Sequence, residues 1–362
     1  MKFERCARGA IVAVAGALLL SSCAVNERDL GDGSGSDLSG TIVGSGSSAQ
    51  QAAQEVWVAG FQSDNPDVTV EYDPAGSGAG RDTFTAGGSG FAGTDRAFDD
   101  EEVAADEFAS CVPGRGIIEL PTFISPIAVI FNLDGIGSLN LDAATIAGIF
   151  KGTITQWDDE AIAAQNERTD LPSTPITAVH RADDSGTTEN FTDYLHAAAP
   201  QIWDAEPGGE WPYEGGEAAP QTSGVVDAVR NGTGTVGYAD ASRAGDLGVV
   251  SVKVGGEYVP YSSEAAAAIV DVSPFVEGRT KGDLAIEIDR ASAEAGVYPI
   301  VLISYLVGCQ EYRSTEQAEL AKAYFGYVIS DEAQAAAEEA AGIAPISLTL
   351  YERAAVAVES IR

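Results

Sequence analysis

Residues 180–188 hold the densest group of side chains in this sequence that could do chemistry. Arg181 supplies a planar fork of donors that suits a tetrahedral oxyanion, and Asp183 can hold that fork in one orientation. A strand-like run precedes the stretch, and apolar residues within 191–195 follow it at helical spacing. Residues 185–187 would then open a helix, where unpaired N–H groups and the helix dipole favour an anion. The stretch predicts an anion site, and an ordinary capped turn with a surface ion pair is the alternative.

Two glycine–serine turns elsewhere in the chain have the same setting. Residues 44–48 (GSGSS) and 76–80 (GSGAG) each follow a strand-like run and precede a helical one. Glycine lets the backbone approach an anion closely, and the hydroxyls of Ser47, Ser48 and Ser77 can donate hydrogen bonds without bulk. Alternating strands and helices predict an α/β fold with substantially parallel sheets, whose ligands bind outside the carboxyl ends of strands. All three turns are therefore expected to form one site.

Asp95 would add a carboxylate to a site built for an anion, directly after the strand-like residues 91–94. Phosphate near neutral pH carries a proton and sulfate does not, so a carboxylate that accepts this proton's hydrogen bond favours phosphate. Sites that depend on such a partner reject analogues lacking it by ~10⁴–10⁵. On sequence pattern alone, a helix N-cap or a loop acid is the commoner role for such a residue, and that alternative stays open.

The rest of the chain predicts the elements that must position these turns. Predicted helices cover residues 49–61, 81–86, 143–150, 224–230 and an alanine-rich region from Ser314 that ends at Gly342. Predicted strands cover residues 68–72, 91–94, 234–238 and 299–306. Residues 117–132 are an apolar run interrupted by Pro121 and Pro126, which suggests strands that cross between two domains.

The first residues of the chain have the pattern of a secretion signal. Residues 1–22 carry early positive charges and an apolar run at 11–20, too short for the ~20 residues of a spanning helix. Residues 20–23 (LSSC) resemble a bacterial lipobox, which implies cleavage before Cys23 and a lipid on its thiol; a plain signal peptide is the alternative. Residues 23–40 have the composition of a flexible tether. These features predict a protein anchored by lipid to the outer face of the bacterial cell membrane.

The net charge limits the classes of partner, and the cysteine content predicts a disulfide. A formal net charge of −35 excludes nucleic acid and an anionic bilayer surface. It does not exclude a small anion, because exposed charges are screened beyond ~8 Å at physiological salt. Cys111 and Cys309 remain after export, and two thiols in an exported protein suggest one disulfide. Two buried free cysteines are the alternative.

The sequence disfavours an enzyme. His180 and His196 are its two histidines, and it contains no Gly-x-Ser-x-Gly elbow, no Cys/His cluster for a metal and no phosphate-binding loop with a Gly-Lys-Ser/Thr end. His180 is interpreted as a strand-end residue, and the aromatic residues Trp203, Trp211 and Tyr213 as packing under a loop. These patterns predict no cofactor, no metal and no catalytic residue. A serine hydrolase or phosphatase, a binding protein for sulfate or molybdate, and a surface adhesion role stay as alternatives.

Taken together, these motifs resemble the phosphate-binding proteins of the bacterial phosphate ABC importer. The resemblance rests on residues 44–48, 76–80, 91–95, 149–152, 157–159, 181–187 and 234–238. It implies a two-lobed periplasmic-binding-protein fold of the Venus-flytrap, type II class, with a two-strand hinge near residues 123–127 and 298–301. Lobe 1 would comprise residues 41–122 and 301–362, and lobe 2 the inserted residues 123–300. A disulfide between Cys111 and Cys309 would then brace lobe 1.

The resemblance also implies a ligand set. The phosphate-binding positions are Ser48, Ala49 through its N–H, Ser77, Asp95, Arg181, Asp183 as the acid that orients the arginine, Ser185, Gly186 and Thr187. The sequence departs from the family at Ala49, at Ala79 where glycine is usual, and at Asp184, which adds negative charge. The expected protein is a monomer whose partners are inorganic phosphate and the permease subunits of a phosphate ABC importer.

Overall fold

Eleven strands and eleven α-helices form within residues 38–362, which are the residues that this computed structural model describes. The strands are β1 (Gly40–Gly46), β2 (Val68–Asp73), β3 (Phe91–Thr94), β4 (Ile117–Asn132), β5 (Ser138–Leu141), β6 (Thr177–Arg181), β7 (Glu217–Ala219), β8 (Thr235–Asp240), β9 (Gly248–Val254), β10 (Glu257–Val259) and β11 (Val301–Cys309). The helices are α1 (Gln51–Asp64), α2 (Ser77–Thr85), α3 (Asp100–Ala105), α4 (Ala143–Phe150), α5 (Glu160–Ala163), α6 (Gly186–Ala198), α7 (Gln221–Asn231), α8 (Ser263–Val272), α9 (Thr315–Val328), α10 (Asp331–Ala341) and α11 (Leu348–Glu359).

The predicted signal at residues 1–22, the predicted lipid site at Cys23 and most of the predicted tether lie outside the described residues. Among residues 38–362, no helix is long and apolar enough to cross a bilayer. The strand β1 begins at Gly40, two residues after Leu38, which is half-buried against the core.

The strands lie in the order β2-β1-β3-β11-β4-β8-β6-β7, and β9 joins β5 and β10 to β4. The pairs β1–β2, β1–β3, β6–β7 and β6–β8 are parallel. The central pairs β3–β11, β4–β11 and β4–β8 are antiparallel. The prediction of substantially parallel sheets is therefore wrong at the centre. There β4 leaves the first half of the sheet and β11 returns to it, so the two strands must run in opposite directions.

Strand β4 is continuous and joins the two halves of the sheet. Nine of its first ten residues pair with β11, with Thr122 skipped at a register shift, and residues 127–132 pair with β8. The predicted break at the prolines does not occur. Pro121 lies beside a shift in register opposite Ser304 and Tyr305, and Pro126 pairs with Val301 at the start of β11. Proline is tolerated at such irregular positions, where its missing N–H costs no regular ladder bond.

Several helix predictions are confirmed, although most boundaries move by a few residues. Helix α4 spans the predicted residues, and Gly342 ends α10 in the left-handed conformation at φ 60°. Helix α2 begins at Ser77, four residues before the predicted start, and α6 begins at Gly186, with Ser185 as its N-cap. The hydroxyl of Ser185 accepts a hydrogen bond from the Thr188 N–H at 3.2 Å.

The core contains many fully buried aromatic side chains. Phe91 contacts Tyr324 and Phe325 in the first half of the sheet, and Phe131 contacts Trp157 in the second. The predicted packing role of the loop aromatics is confirmed: Trp203 is fully buried and its ring lies edge-on to Trp211 and Tyr213. Cys111 and Cys309 form a disulfide with their Cα atoms 5.2 Å apart, so the alternative of two free thiols is wrong.

Candidate functional site

The three predicted turns meet at the carboxyl ends of β1, β2, β3 and β6. The N–H of Gly76 donates to the carbonyl of Gly46 at 2.8 Å, which joins the first two turns. Gly76 has φ 110°, and a Cβ there would come within 2.8 Å of the Asp183 carboxylate. A Cβ on Gly186 would come within 2.6 Å of the Asp95 Cβ. Only glycine allows the third turn to approach the other two this closely.

Asp95 lies at the centre of this arrangement and is 3 % exposed. Its Oδ1 accepts a hydrogen bond from the Ser304 hydroxyl at 2.5 Å, and its Oδ2 accepts one from Thr187 Oγ1 at 3.2 Å. Its backbone N–H donates to Ser77 Oγ at 3.2 Å. Burial raises the pKa of Asp95, and the hydroxyls of Ser304, Ser47 and Thr187 and the charge of Arg181 oppose that rise.

Arg181 ends strand β6 and is 3 % exposed, so its ion pair is not a surface one. Its Nε donates to Asp183 Oδ1 at 2.8 Å, and Nη2 donates to Oδ2. The Gln221 N–H, at the start of α7, donates to the same Asp183 Oδ1 at 2.9 Å. Burial acts to raise the pKa of Asp183, but the hydrogen bonds and charge of Arg181 outweigh it, and the pKa is lowered. The carboxylate therefore fixes the plane of the guanidinium, as predicted.

Ser48 and Ala49 lie just before α1, and Ser48 contacts α7. The hydroxyls of Ser48 and Thr222 are 3.0 Å apart, and the Thr222 N–H donates to Ser48 Oγ at 3.2 Å. The Ala49 N–H donates to Ser47 Oγ at 3.1 Å. The first turn therefore contacts α7 through Ser48 and Asp95 through Ser47.

The two other departures from the family pattern have different surroundings. Ala79 is exposed on α2, and its carbonyl accepts a hydrogen bond from Thr83 Oγ1 at 2.7 Å. Asp184 lies against the second turn, where its carbonyl accepts a hydrogen bond from the Gly78 N–H at 3.4 Å. The departure at Ala79 therefore lies away from Asp95 and Arg181, and the departure at Asp184 lies beside them.

Four residues of the site carried no sequence signal of their own. Ser304 contacts Asp95 from inside the apolar strand β11, and Asn190 Nδ2 donates to the Asp95 carbonyl at 2.6 Å. Thr222 and Gln221 reach the site from α7. The sequence offered one hint, which is that Ser304 lies within an otherwise apolar run. A strand of that composition is expected to be buried, and a buried hydroxyl needs a hydrogen-bond partner.

The described residues include no group of three or more His, Cys, Asp or Glu side chains that could hold a metal ion. His180 lies in β6, as predicted, where its ring stacks on Trp211 with centroids 4.8 Å apart. Its Nδ1 is 2.9 Å from the Arg181 carbonyl.

Comparisons with known proteins agree with this architecture. A family model described as PBP superfamily domain matches residues 33–332. The chain is 33 % identical over 380 residues, and over the full length of both, to phosphate-binding protein PstS 3 of Mycobacterium tuberculosis. It is 31 % identical over 297 residues to phosphate-binding protein PstS of Methanocaldococcus jannaschii, covering 76 % of this chain and 75 % of that one.

Two solved structures share the fold. One is a high-affinity periplasmic phosphate-binding protein bound with phosphate at pH 8.5, with TM-score 0.67 and 21 % identity over 86 % of this chain and 92 % of that one. The other is the phosphate binding protein from Stenotrophomonas maltophilia, with TM-score 0.62 and 18 % identity over 88 % and 94 %. The fold is therefore the two-lobed fold of the periplasmic binding proteins. Within that superfamily, this chain belongs to the family of phosphate-binding PstS proteins.

Proposed function

We propose that this protein binds inorganic phosphate between its two lobes outside the cytoplasm and delivers it to the permease of a phosphate ABC importer. The observation that carries the proposal is the buried Asp95 carboxylate beside the orienting pair Arg181–Asp183. The names of the full-length relatives support the same ligand. This is a binding role and not catalysis.

The proposed phosphate ligands are the residues that the sequence predicts: Ser48, Ala49, Ser77, Asp95, Arg181, Ser185, Gly186 and Thr187, with Asp183 orienting Arg181. The contacts of Asp95 with Ser77, Gly186 and Thr187 support a common site. Each hydrogen bond to a charged group contributes roughly 1.5–3 kcal/mol, so several of them suffice for the ~8 kcal/mol of micromolar binding after desolvation.

The proposed lobes are residues 41–122 with 301–362, and residues 123–300. The change of partner along β4, from β11 to β8 at Ile127, supports this division. Two hydrogen bonds join the proposed lobes in this structure. One links Asp95 to Thr187 and the other links Ser48 to Thr222. A hinge at β4 and the start of β11 would let these contacts open for phosphate to enter. Residues 275–286 pack back on lobe 1, where Ile286 N–H donates to the Tyr305 hydroxyl at 3.1 Å.

We also propose that the mature protein is a monomer held to the membrane by a lipid on Cys23, after removal of residues 1–22. Residues 23–39 would then span the distance between the lipid and β1. Mass spectrometry of the membrane-extracted protein tests this: a Cys23→Ala variant should lose the lipid mass and leave the membrane fraction.

The test of the ligand is calorimetry on protein stripped of bound anion. We expect phosphate to bind and sulfate to be rejected. Asp95→Asn should bind sulfate far better relative to phosphate, because the amide can donate to an unprotonated oxyanion. Asp99→Asn, an exposed helix cap, is the matched control and should keep wild-type selectivity. A stripped wild-type protein that binds no phosphate would overturn the proposal.

A further inference from the structure

A continuous run of buried hydrogen bonds leads away from the Asp95 carboxylate into lobe 1. Ser304 Oγ is 2.5 Å from Asp95 Oδ1, and Gln50 Nε2 is 2.6 Å from Ser304 Oγ. Gln54 Nε2 donates to Gln50 Oε1 at 2.8 Å, and the Tyr324 hydroxyl donates to Gln54 Oε1 at 2.6 Å. Ser304, Gln50 and Tyr324 are fully buried, and Gln54 is 1 % exposed. We call these four residues the relay.

The surroundings fix the direction of every hydrogen bond in the relay. Gln50 Nε2 is also 3.1 Å from the Tyr305 backbone carbonyl, which can only accept. The amide nitrogen of Gln50 must therefore face both this carbonyl and Ser304. Because Ser304 Oγ receives a hydrogen from Gln50, its own hydrogen is free to point at Asp95 Oδ1.

This direction makes Asp95 Oδ1 an obligatory acceptor. A proton on Oδ1 would point at the hydrogen of Ser304, and a proton on Oδ2 would make Oδ1 a weaker acceptor of that hydrogen, so the bond from Ser304 favours the ionised carboxylate. Burial raises the pKa of Asp95, and the Ser304 hydrogen bond is the first of the contacts that lower it again. The relay therefore acts against the effect of burial.

We propose that Gln50 and Ser304 are specificity-determining positioning residues that keep Asp95 ionised, so that the proton in the site is the one that phosphate brings. The inference rests on the proposed phosphate function and extends it to residues outside the ligand set. Neither side chain is needed to touch the anion; both act through Asp95.

The main test compares Ser304→Ala with wild type by calorimetry, for phosphate and sulfate, from mildly acidic to alkaline pH. Loss of one hydrogen bond to a charged group moves a pKa by roughly one to two units. We expect the acidic fall in phosphate affinity to move to higher pH by about one unit. Sulfate binding should rise over the same range, because a protonated Asp95 can donate to it. Removing a residue with a merely structural role would lower the affinity for phosphate and for sulfate equally at every pH.

Gln50→Glu is the second variant, because it keeps the shape of the side chain but offers Ser304 an acceptor in place of a donor. The Ser304 hydroxyl would then turn toward the introduced carboxylate, and the pH and selectivity shifts should match those of Ser304→Ala. Ser89→Ala is the control: Ser89 is 4 % exposed, and its hydroxyl has no hydrogen-bond partner among the described residues. It should keep the wild-type profile.

Two outcomes separate this inference from the proposed function. Folded variants with the wild-type pH profile and the wild-type phosphate-to-sulfate ratio would overturn the relay while leaving phosphate binding intact. A wild-type protein that binds no phosphate at any pH would overturn the proposed function, and the inference with it.

Discussion

Two carboxylates of the site respond to their surroundings in opposite ways. Burial raises the pKa of Asp95, whereas the bonds from Arg181 lower the pKa of Asp183 in spite of its partial burial. Asp183 is therefore a permanent partner for the guanidinium. At Asp95, in contrast, the hydroxyl donors around the carboxylate and the charge of Arg181 only partly offset the effect of burial.

At the residue scale, we expect Asp183→Asn to reduce phosphate affinity by roughly 10- to 100-fold, the value of one charged hydrogen bond. The amide leaves Arg181 free to turn, and calorimetry at neutral pH measures the loss. Asp227→Asn removes an exposed ion pair with Arg230 and should leave affinity unchanged. Equal affinity in Asp183→Asn and wild type would refute the orienting role.

The sign of the pH effect at Asp183 follows from its lowered pKa. A lowered folded pKa contributes stability that is present above the unfolded pKa and is lost as pH falls through the folded one. We therefore expect Asp183→Asn to destabilise the protein at neutral pH, and the difference from wild type to vanish in strong acid.

At the scale of elements, the end of β8 holds a second buried acid beside the crossing strands. Asp240 is fully buried and pairs in register with Ile127 of β4. Its Oδ1 accepts the Ser242 N–H at 3.0 Å, and its Oδ2 has no hydrogen-bond partner among the described residues. Burial raises the pKa of Asp240 to about 6, and the charge of Asp95 adds to the rise.

This raised pKa predicts a stability change in Asp240→Asn. A folded pKa above the unfolded value of 3.8 stabilises the protein below that value, and the contribution is lost as pH rises through about 6. The variant stays neutral, so at pH above the folded value it should be more stable than wild type by up to about 3 kcal/mol. Denaturant titrations in acid and in mild alkali measure this, and identical pH dependence in both proteins would contradict it.

The disulfide links the end of β11 to the segment before β4 across 198 residues of sequence. A cross-link over so long a loop restricts the unfolded chain strongly, and removing one typically costs 2–5 kcal/mol. We expect Cys111→Ser with Cys309→Ser to lower the free energy of unfolding by roughly that amount. Phosphate affinity should stay near wild type, since neither cysteine contacts a proposed ligand residue. A large loss of phosphate affinity with little loss of stability would contradict this prediction.

At the scale of the whole molecule, an ion pair joins the proposed lobes near the site. Arg96 follows Asp95 in the chain, and its Nε lies 2.9 Å from Glu189 Oε2 on α6. Its Nη1 lies 2.8 Å from Glu102 Oε2, which belongs to the same proposed lobe as Arg96. In the proposed opening motion the pair with Glu189 would break, so we expect it to shift the equilibrium toward the closed state.

We expect Arg96→Gln to release phosphate faster than wild type, by a few-fold, because a partly exposed ion pair contributes little. Raised salt should reduce the difference in release rate between the variant and wild type, because salt screens the ion pair in wild type. Stopped-flow dissociation measures the rate. Arg115→Gln removes an ion pair with Glu311 within the proposed lobe 1 and is the matched control. Equal release rates in Arg96→Gln and wild type would show that the pair does not hold the lobes together.

Local sequence was enough for features whose partners lie nearby in the chain. The Arg181–Asp183 pair spans two residues, Asp142 caps helix α4 through the Thr145 N–H, and Gly342 supplies the left-handed cap of α10. Helix α2 began earlier than predicted because Gly76, at φ 110°, already turns the chain for Ser77 to be helical. Continuity of β4 was missed because its prolines fall at a register shift and at the start of β11, which local sequence does not reveal.

The sequence by itself therefore determined the three turns, the Arg–Asp pair and the α/β class, because each depends on conformational preferences of neighbouring residues. The tertiary structure alone decided which partners complete the site. Ser304 is 209 residues from Asp95, Gln50 is 254 residues from Ser304, and Thr222 is 174 residues from Ser48. Hydrogen bonds over such separations depend on how the strands pair and the lobes meet, and no spacing within one stretch of sequence encodes that.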